Sequence, residues 1–517
     1  MSKKILTIVS VLVLLIAMMH TPAPAQTLGS DNGDGTFTNP VIPADFPDPD
    51  VIRVGDTYYM VSTTMFVFPG VTVLKSKDLV NWEYCSNAAP RFDFNRCYDL
   101  DGCNRYAKGQ WATSMRYHKG KFYLLFITLD EGGFLYSADK AEGPWEVKKF
   151  PKGFYDPGLF FDDDGKLYVA HGYGKILITE LDEDFRAKGK DSLVFAGDIR
   201  GGLEGSHVYK INGYYYLYST YGGADGIQVA LRSKNIYGPY EQKVVISDST
   251  KGVTFGIHQG ALIETQKGEW WTMLFVDSGP FGRFPSLQPV SWVEDWPMVG
   301  VNGKGVIRYR KPNVGHIYPK KILPTSDEFN TRQLGMQWAW NHNPEPGRWS
   351  LNERPGHLRL RTVKVVSDLT MARNTLTQRP FAKYDQQIPT VGTIAIDTRN
   401  MREGDVAGLA VFQQPYAYIA VKAEKDKKYL LMVNGKDTID SVLMEQNKVI
   451  YLRTTASNST RKATFEYSYD NRVFRKLGNE LLMQFSLKVF TGNKFCIFNY
   501  PTKAIGGFVD IDWMRME

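Results

Sequence analysis

One hairpin is written five times in this 517-residue chain. Each copy is a short apolar strand, a turn ending in glycine, and a return strand that opens on aromatics. The copies are Gly55 before Asp56-Thr57-Tyr58-Tyr59, Gly120 before Lys121-Phe122-Tyr123, Gly165 before Lys166-Leu167-Tyr168, Gly213 before Tyr214-Tyr215-Tyr216, and Gly268 before Glu269-Trp270-Trp271. A glycine between two such runs signals a β-hairpin, because glycine alone enters the left-handed backbone region without a Cβ penalty. The five glycines lie 65, 45, 48 and 55 residues apart. That spacing, with several strands per unit, predicts a β-propeller of five blades.

The first strand of each propeller blade lines the central axis, so the residue that opens it faces the other four blades. Counting back from the turn glycines finds Asp48 seven residues before Gly55, Trp111 nine before Gly120, Asp156 nine before Gly165, Glu204 nine before Gly213 and His258 ten before Gly268. Each has an ordinary explanation when taken alone. Asp48-Pro49 and Asp156-Pro157 are common turn openings, Glu204 is an unremarked exposed acid, and His258 is a buried histidine bonded to backbone. Their shared offset makes convergence at one end of five neighbouring strands the stronger reading. The acidic run Asp162-Asp163-Asp164-Gly165 is read differently, as a solvated hairpin tip, since it lacks the spaced ligands and closing Glu of an EF-hand loop.

The remaining sequence divides around this repeat. Lys3-Lys4, the apolar run Ile5 to Met19 and the small residues Ala23-Pro24-Ala25 read as a cleavable signal peptide over residues 1–25, so a secreted or periplasmic protein without membrane insertion is expected. Residues 26–320 are assigned to the propeller, with a flexible lead-in over 26–38, a closing strand in Leu287 to Trp292 and a proline-punctuated linker from 301 to 325. Residues 321–517, with short alternating runs such as His357 to Thr362, Ala407 to Phe412 and Tyr416 to Val421, predict a β-sandwich. The whole is therefore all-β. Loss of Lys3 and Lys4 takes the formal charge from +7 to +5, and the cations are interspersed with acids, which argues against nucleic-acid partners. Four cysteines are too few for a disulfide framework; Cys97 and Cys103 are the best-placed pair, and no zinc spacing accompanies them. Nothing in the sequence reports oligomeric state.

Three acids around one cavity point to glycoside hydrolysis, in which one carboxyl protonates the leaving oxygen and another activates water or attacks carbon. Asp48 and Glu204 on opposite sides of a propeller mouth leave room for sugar and water, the arrangement of an inverting enzyme, with Asp156 raising the pKa of the acid. Trp111 is either packing between blades or the apolar face for a sugar ring. Arg283, in Gly282-Arg283-Phe284, is either a surface arginine or a group that orients a hydroxyl or carboxylate.

These residues resemble glycoside hydrolase family 43 over the whole mature chain. The motifs are Phe46-Pro47-Asp48-Pro49-Asp50-Val51, Tyr155-Asp156-Pro157-Gly158-Leu159-Phe160 and Glu204-Gly205-Ser206-His207-Val208-Tyr209-Lys210, with Ser76 to Trp82, His258-Gln259-Gly260 and Gly282-Arg283 in support. The resemblance implies Asp48 as general base, Glu204 as general acid and Asp156 as pKa modulator. It also implies Trp111 and Arg283 on the sugar, His258 near a structural calcium on the axis, and no organic cofactor. Gln337 to Pro344 and Arg373 to Arg379 resemble the concanavalin-like sandwich of the family's β-xylosidases and α-L-arabinofuranosidases, in which a sandwich loop shapes the pocket. Where many members carry Gly-Pro and Trp-Ala-Pro, this chain reads Gly205-Ser206 and Trp111-Ala112-Thr113, and the insertion from Asp93 to Gln110 is expected to reshape the pocket rim. The implied activity is release of L-arabinofuranose or D-xylose from plant polysaccharide or its oligosaccharides. The alternatives are an endo-arabinanase or galactosidase on the same fold, a non-catalytic carbohydrate-binding propeller, and a protein-interaction scaffold.

Overall fold

The computed structural model describes residues 29–517 apart from 198–201, 249–255, 383–387 and 446–448. The proposed signal peptide lies outside the described residues. Five four-stranded antiparallel sheets form the propeller, each in sequence order from the axis outward. Their innermost strands are Asp50–Val54, Ser114–His118, Gly158–Phe161, Leu203–Ile211 and His258–Glu264. Each is followed by its predicted partner, from Thr57–Ser62 in blade 1 to Trp270–Asp277 in blade 5. The turn glycines 55, 120, 165, 213 and 268 all adopt positive φ, between 62° and 84°, as the hairpin reading requires.

Leu287 to Trp292 falls within Arg283–Val293, the third strand of blade 5, and the chain leading into blade 1 docks on it. Asn39 is the clasp. Its side-chain amide donates to the carbonyls of Leu287 (2.8 Å) and Val306 (2.9 Å) and its oxygen accepts from the Leu287 N–H (2.9 Å). The flexible lead-in is corrected here, because Thr36–Thr38 pairs antiparallel with Arg308–Arg310 of the expected linker. Asp162 is corrected as well: at 4% exposure it accepts from Lys210 Nζ (2.7 Å) and Tyr215 OH (2.6 Å), and only Asp163 and Asp164 are solvated. A cross-strand cation and phenol from the next blade drew that carboxylate inward.

The C-terminal sandwich has two eight-stranded sheets, one of which extends beyond its own domain. Its edge strand Ala339–Asn341 pairs with Val67–Phe68 of blade 1, placing Trp340 opposite Phe68. The next residues complete the join. His342 stacks on Phe66 (4.9 Å) and accepts the Arg105 N–H through Nε2 (2.9 Å), while the Asn343 side chain pairs with the Phe92 backbone at 3.0 and 2.7 Å. Phe92 lies just before, and Arg105 within, the Asp93 to Gln110 insertion, which carries the Cys97–Cys103 disulfide. The insertion thus clamps propeller to sandwich, and none of its residues lines the pocket, contrary to the rim role expected of it.

A second join runs beneath the first strand. Asp45, buried, accepts from the backbone N–H groups of Arg283 (3.0 Å) and Gly492 (2.8 Å) and lies 3.4 Å from Lys494 Nζ. Burial works to raise its pKa, but Lys494 and Arg283 outweigh it and hold the carboxyl below its usual range.

Candidate active site

At the opening end of the inner strands lies a cavity of about 500 Å³ that holds Asp48, Asp156 and Glu204 together, with Trp111, His258 and Arg283 also in its wall. The structure therefore brings together every residue singled out by the offset count. Two local devices aim the acids. Asp48 and Asp156 sit at φ 52° and 46°, each directly before proline, a left-handed conformation that costs an aspartate about 1–3 kcal/mol. Glu204 and His258 are instead followed by β-bulges, where the register of their strands shifts before His207 and Gly260, respectively. Gly205 (φ 64°) and Gln259 (φ 47°) take the left-handed position in those bulges.

The acids differ in their partners. On Asp48, Oδ2 accepts from Thr63 Oγ1 (2.6 Å) and Oδ1 from Arg283 Nη1 (2.7 Å), so both oxygens are fixed in orientation. Glu204 Oε2 accepts from Tyr155 OH at 3.1 Å. Room for its other oxygen depends on Gly222, where a Cβ would stand 2.6 Å from Oε1. Burial, then the charge of Asp48, raises the Glu204 pKa, while the Tyr155 hydrogen bond and Arg283 oppose the rise. Asp156 is pushed well above the ordinary carboxylate range by burial, by Glu204 and by Asp48. Glu204 and Asp156 therefore favour their protonated forms, and ionising Glu204 makes Asp156 harder to ionise.

Arg283 is buried, and its Nε and Nη2 have no partner among the described residues; the same holds for Trp111 Nε1. These are donors in a pocket wall, suited to the hydroxyls of a sugar ring. His258 Nδ1 pairs with the Gly256 carbonyl (2.7 Å), and burial lowers the pKa of the ring. Calcium takes six to eight oxygen ligands. Among the described residues no three His, Cys, Asp or Glu side chains are grouped to hold a metal. No step below runs through a metal.

The sandwich loop that the resemblance implied at the pocket is there, although sequence reasoning named none of its residues. The loop after Leu481–Leu482 brings Phe485, Leu487 and Phe490 to its mouth, and Arg461 joins them from a neighbouring hairpin turn. Phe490, at φ 61°, stacks on Trp111 (5.1 Å) and lies 5.2 Å from the Arg283 guanidinium. Tyr155 and Asp277, also in the wall, were missed too; the adjacency of Tyr155 to Asp156 was the one local signal.

The far end of the axis opens into a separate cavity of about 410 Å³. Between the two lies fully buried Asp50, which accepts from Met115 N–H (2.7 Å) and Arg116 Nη1 (2.8 Å), with His207 Nδ1 at 3.4 Å. Burial raises the pKa of Asp50, but His207 and Arg116 together bring it below the ordinary value. This cross-blade cluster closes the axis, so the active-site cavity is a blind pocket.

Comparison with known proteins agrees over both domains. Residues 37–297 match the family model Glycosyl hydrolases family 43, and residues 326–517 match Beta xylosidase C-terminal Concanavalin A-like domain. A β-xylosidase of Formosa agariphila is 33% identical across 99% of this chain and 97% of its own. A non-reducing end α-L-arabinofuranosidase of Bacteroides ovatus is 35% identical across 64% of this chain and 66% of its own. Among solved structures, a bifunctional family 43 and CE protein of Bacteroides eggerthii superposes with a TM-score of 0.85 at 38% identity, covering 93% of this chain and 63% of that one. A family 43 hydrolase engineered to display both endo-xylanase and exo-arabinofuranosidase activity gives 0.84 at 31% identity, over 93% of this chain and 99% of that one.

Proposed function

The chain belongs to glycoside hydrolase family 43, and from that premise we propose that it is an exo-acting, inverting pentosidase that removes L-arabinofuranose or D-xylose from the non-reducing ends of xylan, arabinoxylan or arabinan chains. The observation that carries this reading is the blind pocket containing three carboxyl groups. The sandwich side chains Phe485, Leu487 and Phe490 wall part of the mouth, which suits a chain end or a branch, whereas an endo-acting enzyme needs a cleft running across that mouth. Asp48 and Glu204 belong to blades 1 and 4, which are not neighbours in a ring of five, so the cavity lies between them.

The chemistry follows from their environments. Glu204, with its raised pKa, retains a proton and delivers it to the glycosidic oxygen as the bond to the anomeric carbon breaks. Asp48, its oxygens held by Thr63 and Arg283, takes a proton from a water that attacks the same carbon from the opposite face. One water is consumed, the leaving group departs as an alcohol and the anomeric configuration inverts. Asp156 is held toward its neutral form by burial, Glu204 and Asp48, while the rise at Glu204 itself comes from burial and Asp48. A non-catalytic carbohydrate binder has no need of this acid/base pair.

The relatives named above carry β-xylosidase and α-L-arabinofuranosidase names, which supports a pentose without choosing between the two. Secretion or export to the periplasm is part of the reading, supported by the Cys97–Cys103 disulfide. The test is hydrolysis of phenyl α-L-arabinofuranoside against phenyl β-D-xyloside with the product anomer read by NMR. Inverted product, lost in Glu204→Gln and Asp48→Asn variants that still fold, is expected. A retained product, or near-normal turnover by either variant, would refute the assignment.

A further inference from the structure

Two arginines line the active-site pocket, and only Arg283 is committed to a protein carboxylate. Arg461 lies in the turn between Val449–Ser457 and Lys462–Ser468 of the sandwich, at φ 57°. Its backbone is anchored, because its carbonyl accepts the Met483 N–H at 2.8 Å. The same turn is tied to the propeller through Asn458 Nδ2, which donates to Ser278 Oγ at 2.8 Å beside pocket residue Gly279. The side chain of Arg461 is exposed, and among the described residues it makes no ion pair and no hydrogen bond. A fixed backbone thus presents a free guanidinium to the mouth of the pocket, next to Phe485 and Leu487, the latter 71% exposed.

What passes this mouth follows from the closed axis. With the terminal pentose at the base beside the carboxylates, every other part of the substrate leaves through the opening. The first sugar on the leaving-group side therefore lies in the zone of Arg461. A planar guanidinium offers two parallel N–H donors, a match for two neighbouring sugar hydroxyls, and the apolar side chains beside it suit the C–H face of a pyranose ring. An aryl leaving group has the flat apolar surface but lacks the hydroxyl pair.

We propose that Arg461 is a specificity-determining residue that hydrogen-bonds the leaving-group sugar, so that the sandwich domain selects saccharide over aryl leaving groups. This rests on the pentosidase reading of the pocket. The test compares kcat/KM on xylobiose, or on an arabinofuranosyl xylo-oligosaccharide if arabinose is the sugar released, with that on the matching phenyl glycoside. Wild type, Arg461→Ala and Arg461→Lys are assayed as full-length chains. One or two hydrogen bonds to a charged donor at an exposed site predict that the saccharide-to-phenyl ratio falls about tenfold in Arg461→Ala, chiefly through KM, with Arg461→Lys intermediate. A ratio within twofold of wild type, while wild type hydrolyses both substrates, would overturn this inference and leave the pentosidase reading intact. Failure of wild type on both substrates would instead remove the reading on which it rests.

Discussion

Replacing Tyr155 with Phe isolates one hydrogen bond and makes a signed prediction. The Tyr155 hydroxyl donates to Glu204 Oε2 at 3.1 Å, and burial together with the charges of Asp156 and Glu204 pushes its own pKa far up, so it remains a donor throughout the working range. A donor to the carboxylate form lowers the acid's pKa, and removing it raises that pKa further above the ordinary value. Hydrogen bonds to charged groups contribute about 1.5–3 kcal/mol, and the length here points to the lower end, ~1.5 kcal/mol. At about 1.4 kcal/mol per pKa unit, the shift is about one unit upward.

Glu204 must be protonated to act, so its pKa sets the alkaline limb of kcat/KM for the free enzyme. In Tyr155→Phe that limb is expected to move about one pH unit to the alkaline side, since the effect is one hydrogen bond. The assay needs a substrate whose leaving group requires protonation, such as xylobiose or an alkyl glycoside, because nitrophenolate departs without help. The phenyl ring is retained, which preserves the contact with Trp111 at 6.1 Å. An alkaline limb that stays in place or moves to lower pH would refute the assignment of Glu204 as the acid tuned by this bond.

Two further outcomes follow from the buried charges. Arg283→Ala removes the donor to Asp48 Oδ1 and is expected to lower kcat about 10- to 100-fold with the fold retained, with Arg283→Lys recovering part of the loss; unchanged kcat in the Ala variant would count against Arg283 as the group that orients the base. Asp45→Asn breaks the buried contact with Lys494 and should cost roughly 3–5 kcal/mol near neutral pH. Because the folded-state pKa of Asp45 is depressed, its stabilisation is complete above the unfolded carboxylate pKa and fades as pH falls through the folded value. The Tm gap between wild type and Asp45→Asn should therefore be wide at pH 6 and begin to narrow only below about pH 4, and a gap that widens on acidification would contradict this sign.

The propeller was legible because its rule is local: a glycine that must take positive φ, followed by aromatics on a return strand, repeated at near-constant spacing. The carboxylates were legible for the same reason, since their offsets from those glycines convert sequence position into position along an inner strand. What stayed hidden depends on surfaces meeting across long sequence distances. Phe490 contacts Trp111, and Ala339–Asn341 extends blade 1 through Val67–Phe68, yet no local pattern around either segment encodes its partner. The lead-in was misread because a three-residue strand rich in threonine has no core face to reveal it, and Asp162 because the Lys210 and Tyr215 that draw it inward lie in the next blade.

The cluster of Asp50, Arg116 and His207 across the axis also governs traffic. With no rear exit, the freed pentose and the shortened chain share one doorway. The polymer must withdraw before the monosaccharide escapes, and only then can a new end enter. Such an enzyme works one encounter at a time and cannot thread along a chain. Its steady-state rate at high substrate is exposed to the speed at which a small sugar diffuses past Leu487 and Phe485, and accumulated pentose competes for the same berth as substrate.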